Sequence, residues 1–151
     1  VPREAMRLEI KGTGAFFYSC GSAATSTSEN RKKRLLSPLF LVTRATGIDH
    51  TERMQAWMAQ RLDALARENV AGFVLKARSP SCGLCVEICD RNGKPCGSGP
   101  GLWARALAER FPALPVEEAE RLHDARIREG FLERILLQHQ GGARRKKQQK
   151  K

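Results

Sequence analysis

Four of the chain's five cysteines lie within residues 79–96, which read SPSCGLCVEICDRNGKPC. Their spacing is C-x2-C-x3-C-x6-C, and thiolates at such short spacings can bind zinc or an iron–sulfur cluster. A thiolate can also act as a nucleophile or as half of a redox pair. The alternative is that these cysteines are small apolar residues of a protein core.

A single metal site using all four cysteines conflicts with the predicted local structure. Asn92-Gly93 is a strong hairpin turn signal, so we expect a small hairpin near 84–97 whose first strand covers Leu84 to Ile88. Cys85 and Cys89 would then be about 13 Å apart along that strand. Thiolates on one zinc ion lie within roughly 4 Å of each other. A two-residue turn also places Cys89 opposite Cys96.

Cys82 differs from the other three because it lies in the loop SPSCG, beside Ser79 and Ser81. Gly83 permits close approach of the backbone, and consecutive loop amides can hold an anion or a cluster sulfur. Cys82 is therefore either a ligand or nucleophile, or an ordinary loop thiol. Residues 82–85 also form a CxxC, but no thioredoxin-like βαβ arrangement precedes it.

The elements around this loop follow from apolar periodicity. Leu39 to Val42 predicts a strand, and Asp49 with Glu52 predicts the start of a helix that ends near Asn69. The inward face of that helix is predicted to carry Met54, Trp57, Met58, Leu62 and Leu65. The run Val70 to Leu75 predicts a central parallel strand covered on both faces. Pro80 ends it, which places SPSCG where open α/β sheets bind ligands.

Two further helices are predicted after the hairpin. The first ends at Pro112 and carries Leu102, Trp103, Ala106, Leu107 and Phe111 on its apolar face. The second begins near Asp124, with Ile127, Phe131, Ile135 and Leu136 inward. Residues 115–122 predict a turn or short helix. The fold class is therefore α/β, with a mostly parallel sheet and flanking helices.

The charge is concentrated in two segments. The net charge is +11, and the run 31–34 with the tail after residue 143 contributes ten positive charges, which leaves about +1 for the rest. Such runs are typical of solvated segments or of weak, non-specific contacts with nucleic acid. We expect 11–38 to be a disordered insertion and 139–151 a disordered basic tail, around a domain of residues 1–10 and 39–138.

The cysteine count and hydropathy bear on location. An odd number of cysteines favours reduced thiols or metal ligands over a disulfide scaffold, as in the cytoplasm. No apolar run reaches the roughly 18–20 residues of a membrane span. We expect a cytoplasmic protein without a membrane partner.

Several stretches in order resemble one family. LKARSPSCG resembles the signature of the 2-thiouracil desulfidase-like family, also called domain of unknown function 523. VPREAMRLE resembles the stretch after that family's Cys-Pro-Glu motif, and LVTRATGIDHTERM its Gly-Asp-x-Thr helix start. The segment from GPGLWARALAERF to FLERI resembles the C-terminal part of two-domain members. The resemblance covers 1–10 and about 39–137.

The resemblance implies an α/β fold and a [4Fe–4S] cluster, held by three cysteines, that removes sulfur from a small thiolated base. It makes Cys82 a candidate cluster ligand. Cys85 lies outside the family signature and is a tentative second ligand only because it is close to Cys82 in sequence. Ser79 and Ser81 become candidate catalytic residues for proton transfer or substrate contact. Candidate substrate-binding residues by the same resemblance are Arg3, Asp49, Thr51 and Lys76.

The sequence also departs from the family pattern. The N-terminal cysteine block and the Cys-Pro-Glu motif have no counterpart in the chain, which makes the predicted fold incomplete at the N-terminus. We therefore expect this chain by itself to bind a cluster weakly or not at all and to have little desulfidase activity. The alternative is a non-catalytic module that binds RNA or another polyanion through segments 31–34 and 144–151.

Overall fold

The structure, a computed structural model, describes residues 5–10, 39–68 and 70–148, and side chains as far as residue 138. In chain order these form β1 (Met6–Ile10), β2 (Leu39–Thr43), α1 (Thr51–Glu68), β3 (Phe73–Leu75), β4 (Val86–Cys89), β5 (Pro95–Gly99), α2 (Leu102–Arg110), β6 (Val116–Glu118), a 3-10 helix (Arg121–His123) and α3 (Ala125–Gln148). The predictions for Arg3, for 11–38 and for 149–151 lie outside the described residues.

The α/β class is confirmed, in the form of two sheets. The larger has the strand order β2-β1-β4-β5, and the smaller pairs β3 with β6. Strand β1 runs parallel to β4 and antiparallel to β2, while β4 and β5 form the predicted hairpin. The larger sheet is therefore mostly antiparallel with one parallel pair, and the smaller sheet is parallel.

The core lies between the larger sheet and helices α1 and α2. Alternate residues of each strand face it, as the two-residue period of a strand requires. Its fully buried members include Leu8 of β1, Ile88 of β4 and Leu107 of α2. Within the described ranges, no helix is both long enough and apolar enough to cross a membrane.

The predicted central strand over 70–75 is wrong in extent and position. Only Phe73–Leu75 forms a strand, and it pairs with β6 in the small sheet rather than within the larger one. Val74 is about half exposed, so this strand is not covered on both faces. A continuous apolar run does not show which segments cover it, and Val70 instead packs on the core without joining a ladder.

Two apolar residues predicted to point inward are largely exposed. Trp57 is half exposed, and its ring lies 5.0 Å from that of the buried Trp103, measured between centroids. Leu136 is 61% exposed on α3. Helix α3 also continues to Gln148, well past the predicted start of the tail at residue 139.

The hairpin keeps the predicted register along most of β4, where Val86, Glu87 and Ile88 lie opposite Gly99, Ser98 and Gly97. It departs from the prediction by one residue only next to the turn. Cys89 lies opposite Pro95, and the ladder shifts between Ile88 and Cys89. The turn is longer than two residues, because the backbone N–H of Asp90 donates to Lys94 O at 2.8 Å. Cys96 is itself the extra residue of this bulge, so it does not lie opposite Cys89 in the ladder.

Candidate functional site

The loop over 76–84 lies at one end of the strands of the larger sheet. It connects the carboxyl end of β3 to the amino end of β4. Because β1 runs parallel to β4, the amino end of β1 lies at the same end of the sheet. Met6 is paired with Thr43, so the carboxyl end of β2 lies there too. Asp49 is bridged to Val42 there, just before α1 begins.

Three predicted site residues lie in contact within this loop. The hydroxyl oxygens of Ser79 and Ser81 are 3.0 Å apart, and the Ser81 hydroxyl lies 3.3 Å from the Cys82 sulfur. All three residues are partly buried. The side chains therefore form one hydrogen-bonded line that ends at a free thiol.

The loop folds back on the carbonyl group of Ser79. Ser79 O accepts the backbone N–H groups of Cys82 at 3.1 Å and of Gly83 at 2.7 Å. The amides of Cys82 and Gly83 therefore already have an acceptor and are not available to hold an anion. Close approach at Gly83 is confirmed, since a Cβ there would lie 3.1 Å from Ser79 O and 2.5 Å from Val86 Cγ1.

The middle of the loop packs on the first turn of α2. The first amides of a helix have no acceptor within the helix. Here Trp103 N donates to Ser81 O at 2.7 Å, and Leu102 N donates to Pro80 O at 3.4 Å. Gly101, which caps the helix without a side chain, donates its N–H to Gly83 O at 2.8 Å. The loop carbonyls thus cap α2, and α2 fixes the loop.

Space at this junction requires glycine at position 101. A Cβ there would lie 2.5 Å from Ser81 O and 2.7 Å from Pro80 O, both of them backbone atoms. The backbone of Gly101, with φ −61° and ψ 163°, is open to any residue. Close contact, rather than backbone conformation, therefore decides the residue type.

The two ends of the loop contact the end of β6. Ala119 N donates to Leu75 O at 2.9 Å, and Leu84 N donates to Glu118 Oε1 at 2.7 Å. Between these points Arg78 has a left-handed backbone with φ 55°, which is uncommon for a residue other than glycine. Glu118 was not predicted from the sequence, because no pattern indicates a strand over 116–118.

The structure places Asp49 and Thr51 in a hydrogen-bonded pair at the start of α1. Asp49 Oδ1 accepts from Thr51 N at 2.9 Å and from the Thr51 hydroxyl at 2.5 Å. The buried Thr51 hydroxyl in turn accepts Leu41 N at 2.9 Å. These bonds join α1 to β2. Lys76 is exposed just after β3, and a role in substrate binding remains a prediction for all three residues.

The remaining cysteines do not join Cys82 in a common site. Cys85 is exposed and disulfide-bonded, contrary to the expected reduced thiol. Burial raises the pKa of the Cys89 thiol, and the nearby Glu87 carboxylate raises it further. Burial, followed by the charge of Asp90, also raises the pKa of Cys96. Both thiols thus favour the protonated form, which is a poor ligand and a poor nucleophile.

The described residues do not fit a three-cysteine cluster. Among the described side chains, which belong to residues 5–10, 39–68 and 70–138, no group of three His, Cys, Asp or Glu is close enough to hold a metal ion. Strand β4 separates the Cys82 loop at its amino end from Cys89 at its carboxyl end. Only Cys82 therefore remains as a thiol in the candidate site.

A comparison with protein families identifies the chain's family. The family model described as 2-thiouracil desulfurase matches residues 1–119, and the chain belongs to this family. The resemblance noted in the sequence is thereby confirmed. No curated protein and no solved structure matches the chain.

The polyanion-binding alternative stays a prediction. Residues 31–34 lie outside the described residues, and the side chains of the basic tail are likewise not described. The described part of the chain adds no argument for nucleic-acid binding.

Proposed function

We propose that the loop from Ser79 to Gly83 is the site at which this protein removes sulfur from a small thiolated base such as 2-thiouracil. The single observation that carries the proposal is the hydrogen-bonded line from the Ser79 hydroxyl through the Ser81 hydroxyl to the Cys82 thiol. Membership in the 2-thiouracil desulfurase family supplies the substrate class.

The net reaction replaces a thiocarbonyl sulfur by oxygen. With 2-thiouracil and water as reactants, uracil and hydrogen sulfide are the products, so atoms balance and no external oxidant or reductant is needed. Sulfur must leave and protons must move during this exchange. A hydroxyl both donates and accepts a hydrogen bond, so two adjacent hydroxyls can pass a proton along the loop.

The proposed roles follow from position. Cys82 presents a soft sulfur atom to the thiocarbonyl or to a thiophilic metal group. Ser81 contacts that thiol directly, and Ser79 continues the line toward the start of the loop. The [4Fe–4S] cluster implied by the family resemblance would use Cys82 as one ligand. Since the described residues bring no second thiol to it, we derive no step through a cluster.

Substrate protection of Cys82 tests the site without requiring turnover. Iodoacetamide would be applied to the full chain with 2-thiouracil, with uracil as the matched ligand, or with neither, and modified thiols would be identified by peptide mass spectrometry. We expect 2-thiouracil to slow modification of Cys82 and to leave Cys96 unaffected. Equal protection by both ligands, or by neither, would contradict the proposal.

Sulfide release tests the reaction itself. After anaerobic incubation with iron and sulfide, followed by desalting, the chain would be given 2-thiouracil, and uracil and new sulfide would be measured. Any release should be lost in Cys82→Ser and retained in the control Cys96→Ser. The same samples give iron and acid-labile sulfide contents. Binding of four irons by the chain, lost equally in both variants, would contradict the assignment of Cys82 alone.

A further inference from the structure

The end of β6 contacts the candidate loop at three points through three consecutive residues. Glu118 accepts Leu84 N, Ala119 donates to Leu75 O, and Glu120 forms an ion pair with Arg78 at 2.6 Å. The contacts therefore fall at the start of the loop, just before Ser79, and just after Gly83. A segment more than thirty positions away in sequence thus contacts both ends of the candidate loop.

These three contacts are unequal in strength. Arg78 and Glu120 have side chains 81% and 56% exposed, and an exposed ion pair contributes little to stability. The bond from Leu84 N to Glu118 is partly buried and has a charged acceptor. Charge-assisted hydrogen bonds are roughly twice as strong as neutral ones. Glu118 therefore dominates the contact at the closing end of the loop.

Glu118 is itself held in place by its neighbours. It lies opposite Leu75 in the ladder between β3 and β6. The adjacent Glu117 is buried and forms ion pairs with Arg121 at 2.9 Å and Arg134 at 3.7 Å. Strand β6 is thereby tied to the 3-10 helix and to α3. The backbone that carries the Glu118 side chain is consequently held in place by β3, by the 3-10 helix and by α3.

We infer that Glu118 is a positioning residue for Cys82. By holding Leu84 N, the carboxylate fixes the closing end of the loop, while the first turn of α2 fixes its middle. Cys82 lies between these two attachments, so its thiol keeps its place beside Ser81. The inference rests on the proposed function only in taking Cys82 as the reacting thiol.

Three variants of the full chain separate positioning from general stability. Glu118→Ala removes the acceptor, whereas Glu118→Gln keeps a side-chain oxygen that can accept Leu84 N. Glu120→Ala is the matched control, because it removes a carboxylate of the same loop contact without touching Leu84. Amide hydrogen exchange of Leu84, and alkylation of Cys82 by iodoacetamide, would be measured for each variant.

Loss of one hydrogen bond to a charged acceptor predicts about tenfold faster exchange of the Leu84 amide in Glu118→Ala. Alkylation of Cys82 should become faster in the same variant. Both rates should return part of the way to wild type in Glu118→Gln, because a neutral oxygen accepts a weaker hydrogen bond, and both should stay unchanged in Glu120→Ala. Exchange of the Leu107 and Ile88 amides in the core should not change.

Three results would overturn the inference. They are unchanged Leu84 exchange in Glu118→Ala, an equal effect of Glu120→Ala, and acceleration of the core amides by the same factor as Leu84. Because neither readout needs substrate, the inference stands or falls independently of 2-thiouracil protection. Faster Leu84 exchange together with faster Cys82 alkylation in Glu118→Ala, without protection by 2-thiouracil, would support the positioning role and contradict the proposed substrate. Faster Leu84 exchange with unchanged Cys82 alkylation would also contradict the positioning role.

Discussion

The loop around Cys82 and the hairpin that follows carry cysteines within the same short stretch of sequence, yet they are built differently. The loop is fixed by the first turn of α2 and by the end of β6, both distant in sequence. The hairpin closes on itself. Asp90 Oδ1 accepts Asn92 N and Lys94 N, each at 2.9 Å, and Gly93 adopts a left-handed φ of 78°.

The thiols of the two regions differ accordingly. Cys82 lies beside a hydroxyl that can exchange a proton with it. Cys89 is almost fully buried, and the Cys96 thiol donates to Ile88 O at 3.4 Å. The spacing of cysteines in a sequence therefore does not assign their chemistry. Their burial and their hydrogen-bond partners do.

We expect the greatest loss of stability from a substitution that separates the loop from the first turn of α2. Gly101→Ala would place a methyl group within 2.7 Å of two backbone oxygens, so the loop and α2 must separate. We expect a loss of about 2–3 kcal/mol in the free energy of unfolding, as for other overpacked sites. Urea unfolding followed by circular dichroism would measure this.

Gly130→Ala is the control for that variant. Position 130 lies in α3, and a Cβ there would meet nothing within 4 Å. Alanine is favoured over glycine in a helix interior by about 1 kcal/mol. The control should therefore be slightly more stable than wild type. If both variants lost the same stability, the close contact at Gly101 would not be the cause.

The second prediction sharpens the contrast between the thiols. In the folded chain at pH 8, iodoacetamide should modify Cys82 at least about tenfold faster than Cys89, because a buried thiol with a raised pKa holds little thiolate. As the pH rises, the Cys89 rate should reach its midpoint at a higher pH in the folded chain than in urea. A midpoint at or below the unfolded value would contradict the assigned environment.

The smallest expected effect is confined to the hairpin. Asp90→Ala removes an acceptor used by two backbone N–H groups, which should cost about 1–2 kcal/mol. It also removes a negative charge that raises the pKa of Cys96, so alkylation of Cys96 should start at lower pH. Urea unfolding would measure the loss of stability, and peptide-resolved alkylation would measure the change in the pH dependence of Cys96. A changed Cys82 rate would mean that the two regions are coupled.

Local patterns were sufficient for several elements of the fold. The strand at Leu39, the helices beginning near Asp49 and Leu102, and the Asn92-Gly93 hairpin follow from periodicity and turn chemistry, and the structure confirms them. Each depends on neighbours close in sequence. The predicted hairpin register holds from Val86 to Ile88 and fails by one residue only at Cys89, because a bulge depends on how both strands pack, which the turn signal does not contain.

The supports of the site could not be predicted in the same way. Strand β6 is the three-residue sequence VEE, which has no apolar alternation, and its partner β3 is equally short. Their pairing, and the contact between Glu118 and Leu84, connect residues far apart in sequence. The sequence could place Ser79, Ser81 and Cys82 in one loop, but it could not show what fixes that loop.

The attachment of both ends of the loop to the end of β6 has a consequence for the order of folding. The segment from Leu75 to Leu84 can take its final form only after residues 101–104 and 118–120 have met it. During synthesis, chains form contacts first among residues that have already emerged. The hairpin, closed by bonds within five residues, can form early. The site is therefore among the last parts to assemble, and a ribosome paused before residue 118 would carry a chain with its thiol present and its loop still open.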